Sequence, residues 1–271
     1  MEILYGIHPV TEALKAGRRD FVEIYLAAEK IPGRVLQTAA LAESRGIPIK
    51  KKTAAQLGAI TRSEMHQGIG AGVGPYPLVE MDIVLNKSAE RGGRHFLLLL
   101  DNILDPHNFG ALVRTADSVG IDGIIMPKDR SAPPSPAVSK ASSGALEHVL
   151  LTRVTNMVGA IKDLKKQGVW IVGMDRDADQ SLFRSDLADS IAIIIGGEEK
   201  GIRPLVKQNC DFLVSIPQAG RVESLNASVA GAVVMYEAYR QRTLSKSEAR
   251  NPKFETIFNN RNSNDPNNRR I

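Results

Sequence analysis

The hydrophobic pattern divides the chain in two. From Met1 to Val73, short apolar stretches alternate with segments of helical period. MEILY reads as a strand, and a helix opens near Pro9 and ends at Gly17. Phe21–Ala28 is a strand, and Val35–Ser44 a helix stopped by Gly46. Ile47–Lys50, Thr53–Ile60 and His66–Val73 continue as strand, helix and strand. Such alternation with short connections predicts a small three-layer α/β domain. Beyond Pro75, Tyr76 and Pro77 the apolar runs become denser. Phe96–Leu100, Asp122–Met126, Val169–Met174, Ile191–Ile195 and Asp211–Ile216 read as strands of an open parallel sheet, buried on both faces and joined by helical crossovers.

The intervening segments are less uniform. Helices are predicted over Phe109–Val119, closed by Gly120, near Ser143–His148, along VTNMVGAIKDLKKQG, and over Leu225–Arg240. PKDRSAPPSPAVSKASSGALEHV holds four prolines and five serines, which predicts a long loop before the helix near 143–148. Val79–Leu85 forms a short linker helix, and polar Asn86–Arg94 resembles a hinge. From Gln241 the pattern fails, and FNNRNSNDPNNRRI has the composition of a disordered tail. The expected division is therefore 1–76, a linker 77–94, a main domain 95–243 and a basic Asn/Arg-rich tail 244–271.

Composition adds compartment and partner. The 271 residues lack an 18-residue apolar span and a signal-peptide pattern, so a cytoplasmic protein without membrane contact is expected. Cys210 is the sole cysteine, which excludes an internal disulfide and predicts a buried, inert thiol. The net charge of +5 is unevenly spread: +3 over residues 1–76, −2 over 77–240 and +4 over 241–271. Two basic ends around a near-neutral centre point to a polyanion held at the ends, although +3 on a small domain is also ordinary surface charge.

The motifs first exclude. No GxGxxG follows the first main-domain strand, no Walker lysine signature occurs, and the five histidines show no metal-ligand spacing. Neither a dinucleotide fold nor a P-loop enzyme is supported, and no metal is expected. What remains is polar residues at strand ends, where open α/β sheets bind ligands. Asn108 and Arg114 follow strand 96–100, Glu198 and Glu199 follow Gly196–Gly197, and Ser224, Leu225 and Asn226 precede the long helix. Each has a plain alternative. Arg114 can pair with Asp117, the glutamates can be solvated, and Ser224 can be only a helix cap.

Three segments together resemble the SpoU branch of the trefoil-knotted RNA ribose methyltransferases. They are DPHNFGALVRTA (105–116), IIIGGEEKGI (193–202) and IPQAGRVESLNASVAGAVVMYE (216–237), in family order and spacing. YGIHPVTEAL and HQGI resemble the ribosomal-protein-like RNA-binding domain that precedes the knotted domain in guanosine methyltransferases of large-subunit ribosomal RNA. The resemblance covers residues 1–240. It implies a knotted, mostly parallel sheet with helices on both faces. S-adenosylmethionine would be held by backbone near Gly196, Ile216 and Leu225, and methyl would pass to a ribose 2′-hydroxyl in a homodimer. By the same resemblance Asn108 and Glu198 position Arg114, which contacts the target phosphate, while Ser224 and Asn226 arrange the cofactor end and the nucleophile. Arginine stays protonated above pH ~12, so it is better suited to hold the phosphate and stabilise a forming alkoxide than to act as base. Ala227 stands where the family commonly has valine, away from the polar set. The alternatives are the same chemistry on transfer RNA and a catalytically silent RNA-binding or ribosome-assembly protein.

Overall fold

A computed structural model of the chain describes residues 1–28, 32–89, 93–221 and 224–248. The first unit contains β1 (Glu2–Tyr5), α1 (Ile7–Ala16), β2 (Phe21–Ala27), α2 (Gly33–Ser44), β3 (Ile49–Lys52), α3 (Ala54–Thr61) and β4 (Ile69–Val73). Its sheet order is β1-β4-β2-β3, with β4 antiparallel to both neighbours and β2 parallel to β3. Alternation along β2 builds the layers. Ile24 and Leu26 face α1 and α2, while Tyr25 and Ala27 face Leu57 of α3. The three-layer expectation holds.

The second unit begins with α4 (Met81–Ala89) and continues through β5 (Phe96–Asp101), α5 (Pro106–Val119), β6 (Gly123–Pro127), α6 (Pro136–Ala141) and β7 (Leu151–Val154). It closes with α7 (Met157–Lys166), β8 (Trp170–Met174), β9 (Ile191–Gly196), α8 (Pro204–Lys207), β10 (Phe212–Val214) and α9 (Ala227–Glu248). All its strands are parallel, in the order β10-β8-β9-β5-β6-β7. The apolar runs explain the two covered faces. Leu98, Leu100, Ile193 and Ile195 pack under α5 and α9, whereas Leu97, Leu99, Ala192 and Ile194 pack under α4, α7 and α8. Each large side chain fully buried this way contributes roughly 1.5–3 kcal/mol. Among the described residues no helix is long and apolar enough to cross a membrane.

Several local expectations are corrected. α6 occupies the proline-rich segment read as loop, because Pro136 stands at a first-turn position where its missing N–H costs nothing and Ser135 caps the turn. The helix expected at 143–148 is a single 3-10 turn, Ala145–Glu147. β7, only four residues long, was not predicted. It is an edge strand paired to β6. The hinge-like linker contains α4, whose Val84 and Leu85 are core residues of the second unit. α9 runs eight residues beyond Arg240, to Glu248. There the apolar period ends, but Gln241 accepts from Leu187 N at 2.7 Å and donates to Ser185 O at 3.0 Å. Side-chain to backbone bonds replace apolar packing as the anchor. Residues 249–271 of the expected tail lie outside the described residues.

The two units are joined by a buried ionic clasp. Arg19 donates from Nε to Glu147 Oε2 at 2.8 Å and from Nη2 to Glu147 Oε1 at 3.2 Å, with both side chains almost fully enclosed. Its Nη1 reaches Glu2 at 2.6 Å and Gly74 O at 3.0 Å. Arg18 donates to Val149 O at 2.7 Å and to Pro77 O at 3.1 Å, and Tyr76 donates to Val149 O at 2.5 Å. A buried pair of this kind survives only because further hydrogen bonds offset desolvation of both charges. Burial pushes the Tyr76 hydroxyl up to about 12, so it stays a donor.

Candidate active site at the ends of β5 and β9

β5 and β9 are central neighbours, with Asp101 opposite Gly196 at their carboxyl ends. The strand order reverses at this pair, with β6 and β7 on one side and β8 and β10 on the other, the position at which parallel α/β sheets open a ligand crevice. Two short segments leave it. After β5 the chain enters α5, where Asp105 caps the helix by accepting from His107 N at 3.1 Å and Asn108 N at 3.3 Å. This cap fixes Asn108 in the first turn. After β9 the chain makes a tight turn in which Gly201 N donates to Gly197 O at 2.9 Å, and Glu198 rides on that turn.

Glycine is required here by close backbone approach. A Cβ on Gly196 would lie 2.1 Å from the Gly201 carbonyl carbon, and one on Gly197 would lie 2.4 Å from Asn102 O. The far side of the turn is tied by fully buried Asp101, which accepts from Arg203 N and Nε, both at 2.8 Å. Sequence reasoning missed this pair. Its available signals were an aspartate closing the run FLLLLD and an arginine just before Pro204.

The polar residues form a chain of amides. Asn226 is the N-terminal cap of α9. Its Oδ1 accepts from Ser228 N at 2.8 Å and Ser228 Oγ at 2.6 Å. That capping role leaves Nδ2 to donate to Asn108 Oδ1 at 3.0 Å. Asn108 is thereby oriented to donate from Nδ2 to Glu198 Oε1 at 2.5 Å. Asn226, Asn108 and Glu198, from three distant stretches, thus meet at one place. Ser224 and Leu225 are exposed just before the cap, so the capping expected of Ser224 belongs to Asn226.

Arg114 sits further along α5 and is exposed. Its Nη1 donates to Ser143 Oγ at 3.2 Å, and among the described residues neither Glu198 nor Asp117 pairs with it. Glu198 is held by Asn108 rather than by the arginine, and the other guanidinium donors remain open. Cys210 takes no part. Burial pushes its thiol up to about 12, leaving it neutral near pH 7.

The residues expected to hold the cofactor lie at or after the carboxyl ends of strands or precede α9. Gly196 ends β9, and Ile216 packs half-buried against the core that includes Ile195, Val214 and Ala227. Leu225 presents an apolar side chain 39% exposed. No backbone hydrogen bond ties 217–221 to other described residues, and Asn102 Oδ1 is buried without a partner among them. Open main-chain groups, apolar walls and an unmatched acceptor fit a ligand carrying amino groups and an adenine ring. Gly196, Ile216, Leu225 and Asn102 would hold it. Among the described residues no three His, Cys, Asp or Glu side chains group as metal ligands.

A six-stranded parallel sheet of this order, preceded by a small α/β unit, is consistent with the knotted architecture of the α/β SpoU/TrmH fold. The SpoU rRNA Methylase family matches residues 95–236, and a family described as RNA 2′-O ribose methyltransferase substrate binding matches residues 3–79. The chain belongs to the SpoU rRNA methylase family, whose members are S-adenosylmethionine-dependent RNA 2′-O-methyltransferases.

Among similar proteins, YacO of Bacillus subtilis (strain 168), assigned to the TrmH family of tRNA/rRNA methyltransferases, is 39% identical over 241 residues, covering 89% of this chain and 96% of that protein. The 23S rRNA (guanosine-2′-O-)-methyltransferase RlmB of Escherichia coli (strain K12) is 38% identical over 242 residues, covering 89% and 99%. Among solved structures, the SpoU methyltransferase AviRb of Streptomyces viridochromogenes in complex with AdoMet superposes with a TM-score of 0.74. It is 24% identical and covers 89% of this chain and 90% of that one, a likeness of fold.

Proposed function

We propose that this chain methylates the ribose 2′-hydroxyl of a guanosine in large-subunit ribosomal RNA, as a cytoplasmic homodimer. The substrate class is supported by RlmB relatives matched over nearly their whole length, and by a net +3 over residues 1–76. The observation that carries the reading is the convergence of Asn226, Asn108 and Glu198 at the β5–β9 crevice, on the helix that bears Arg114. When bound, S-adenosylmethionine supplies a sulfonium methyl group as electrophile. Arg114, with open fork donors, holds the phosphate beside the target ribose and lowers the cost of the developing alkoxide. The hydroxyl proton leaves to a neighbouring phosphate oxygen or water. Asn108 and Glu198 fix the crevice wall, and Asn226 sets the amide orientation of Asn108. Mapping 2′-O-methyl positions in total RNA with and without the protein tests the substrate. One protein-dependent guanosine in the large ribosomal RNA is expected. Marks confined to transfer RNA would replace that substrate, and cofactor binding without any RNA mark would favour a silent RNA-binding protein.

The dimer is supported by the outer face of α9. Tyr236, Tyr239 and Leu244, with Phe183 beside them, are each at least 44% exposed and line a cavity of about 590 Å³. The opposite face of α9 carries the buried core residues Val234, Met235 and Ala238. Exposed aromatic side chains gathered in one patch mark an interface. Tyr236→Glu is expected to yield a monomer by sedimentation, with methyl transfer falling at least tenfold. A dimer persisting in that variant would place the interface elsewhere.

A further inference from the structure

A second cavity, about 380 Å³, lies in the first unit, away from the β5–β9 crevice. Ile7, Ala27, Pro32 and Ala54 give it largely apolar walls, and His66 and Gln67 supply its polar side chains. His66 is 8% exposed. Its Nδ1 accepts from Gly68 N at 3.0 Å, so the neutral ring carries its proton on Nε2, which has no partner among the described residues. Gln67 is similarly fixed. Its Oε1 accepts from Ile7 N at 3.1 Å and from Lys140 Nζ at 3.0 Å, which assigns the amide and leaves both Nε2 hydrogens without a partner among the described residues. The polar side chains of the cavity therefore offer donors only. Apolar walls suit a flat ring, and paired donors suit an edge bearing two adjacent acceptors. Guanine N7 and O6 form such an edge, whereas adenine sets a donor beside its N7.

The cavity is tied to the catalytic unit through one short segment. Lys140 lies on α6 and bonds Gln67. Ser143, three residues on, bonds Arg114 at 3.2 Å. A strand with a phosphate at Arg114 that runs along α6 past Lys140 arrives at the rim formed by Gln67. We infer that this cavity receives an unpaired guanine of the same RNA strand that is methylated, and that His66 and Gln67 read its N7/O6 edge. The inference rests on the reading of RNA as substrate. It assigns specificity to the first unit through one base, beyond general attraction of the backbone.

The test uses full-length protein and a ribosomal RNA hairpin that it methylates. Gln67→Glu keeps the acceptor for Ile7 N and Lys140 but removes both donors, so the thermal midpoint should hold. KM for the hairpin is expected to rise about tenfold or more, with kcat and S-adenosylmethionine affinity unchanged. Ala54→Leu, which narrows the cavity without touching a donor, should raise KM similarly. Placing 7-deazaguanine at each guanine other than the methylated one should reveal one position that raises KM for the unaltered protein and adds nothing in Gln67→Glu. Unchanged KM in both variants, or no sensitive guanine, overturns the base-reading cavity while leaving ribose methylation standing. An unaltered protein that methylates no RNA overturns both.

Discussion

Arg114→Lys lowers the single-turnover rate of methyl transfer by about 10²–10³-fold, the scale set by loss of one preorganised donor to a developing oxyanion, while S-adenosylmethionine affinity stays near its original value. The split follows from position. Arg114 lies along α5, and among the described residues its guanidinium bonds Ser143 Oγ. Lysine keeps the charge but loses the planar fork. It meets a phosphate as a point charge, without the two parallel bonds that fix where the 2′-hydroxyl sits. Rapid-quench measurement of methyl transfer, with calorimetric titration of the cofactor, separates the two quantities. Equal losses in both would remove Arg114 from substrate positioning and give it to the cofactor.

Gly196→Ala abolishes cofactor binding and destabilises the protein by at least about 3 kcal/mol, the upper range for forcing atoms into a packed site. The added methyl would sit 2.1 Å from the Gly201 carbonyl carbon and 2.2 Å from Ile202 N. Both are backbone atoms, so no side chain can swing away. The turn must move, which pulls Arg203 from Asp101 and Glu198 from Asn108. Gly33→Ala is the matching control, with nothing within 4 Å of the added carbon. Thermal unfolding and cofactor titration of the two variants should differ sharply. A Gly196→Ala protein that binds cofactor normally would mean the turn is looser than its packing indicates.

Much of this site was legible because its residues follow runs that have only one use. Ile191–Ile195 and Phe96–Leu100 are too apolar and too short to be anything but buried strands, so Glu198 and Asn108 had to lie at strand ends. What no local pattern reveals is which strands are neighbours. The pairing of β5 with β9 joins stretches almost a hundred residues apart, and the amide chain exists only because of it. Ser224 and Asn226 are equally good caps by residue type, and geometry chose the asparagine. Arg18 and Arg19 carry no local signal of their role, because their partners, Glu147 and the Val149 carbonyl, come from the far side of the linker. β7 has four residues with no distinctive period, and the tether at Gln241 is polar, so neither leaves a hydrophobic trace.

The contact between Arg19 and Glu147 bears on how the molecule melts. Were the first unit to come loose first, a guanidinium and a carboxylate would be exposed at the price of stripping Val149 O of its donors from Arg18 and Tyr76. Partial opening therefore gains little entropy and forfeits the whole cluster at once. Heat should be taken up in a single calorimetric peak spanning both halves, with no plateau at which one is folded and the other is not.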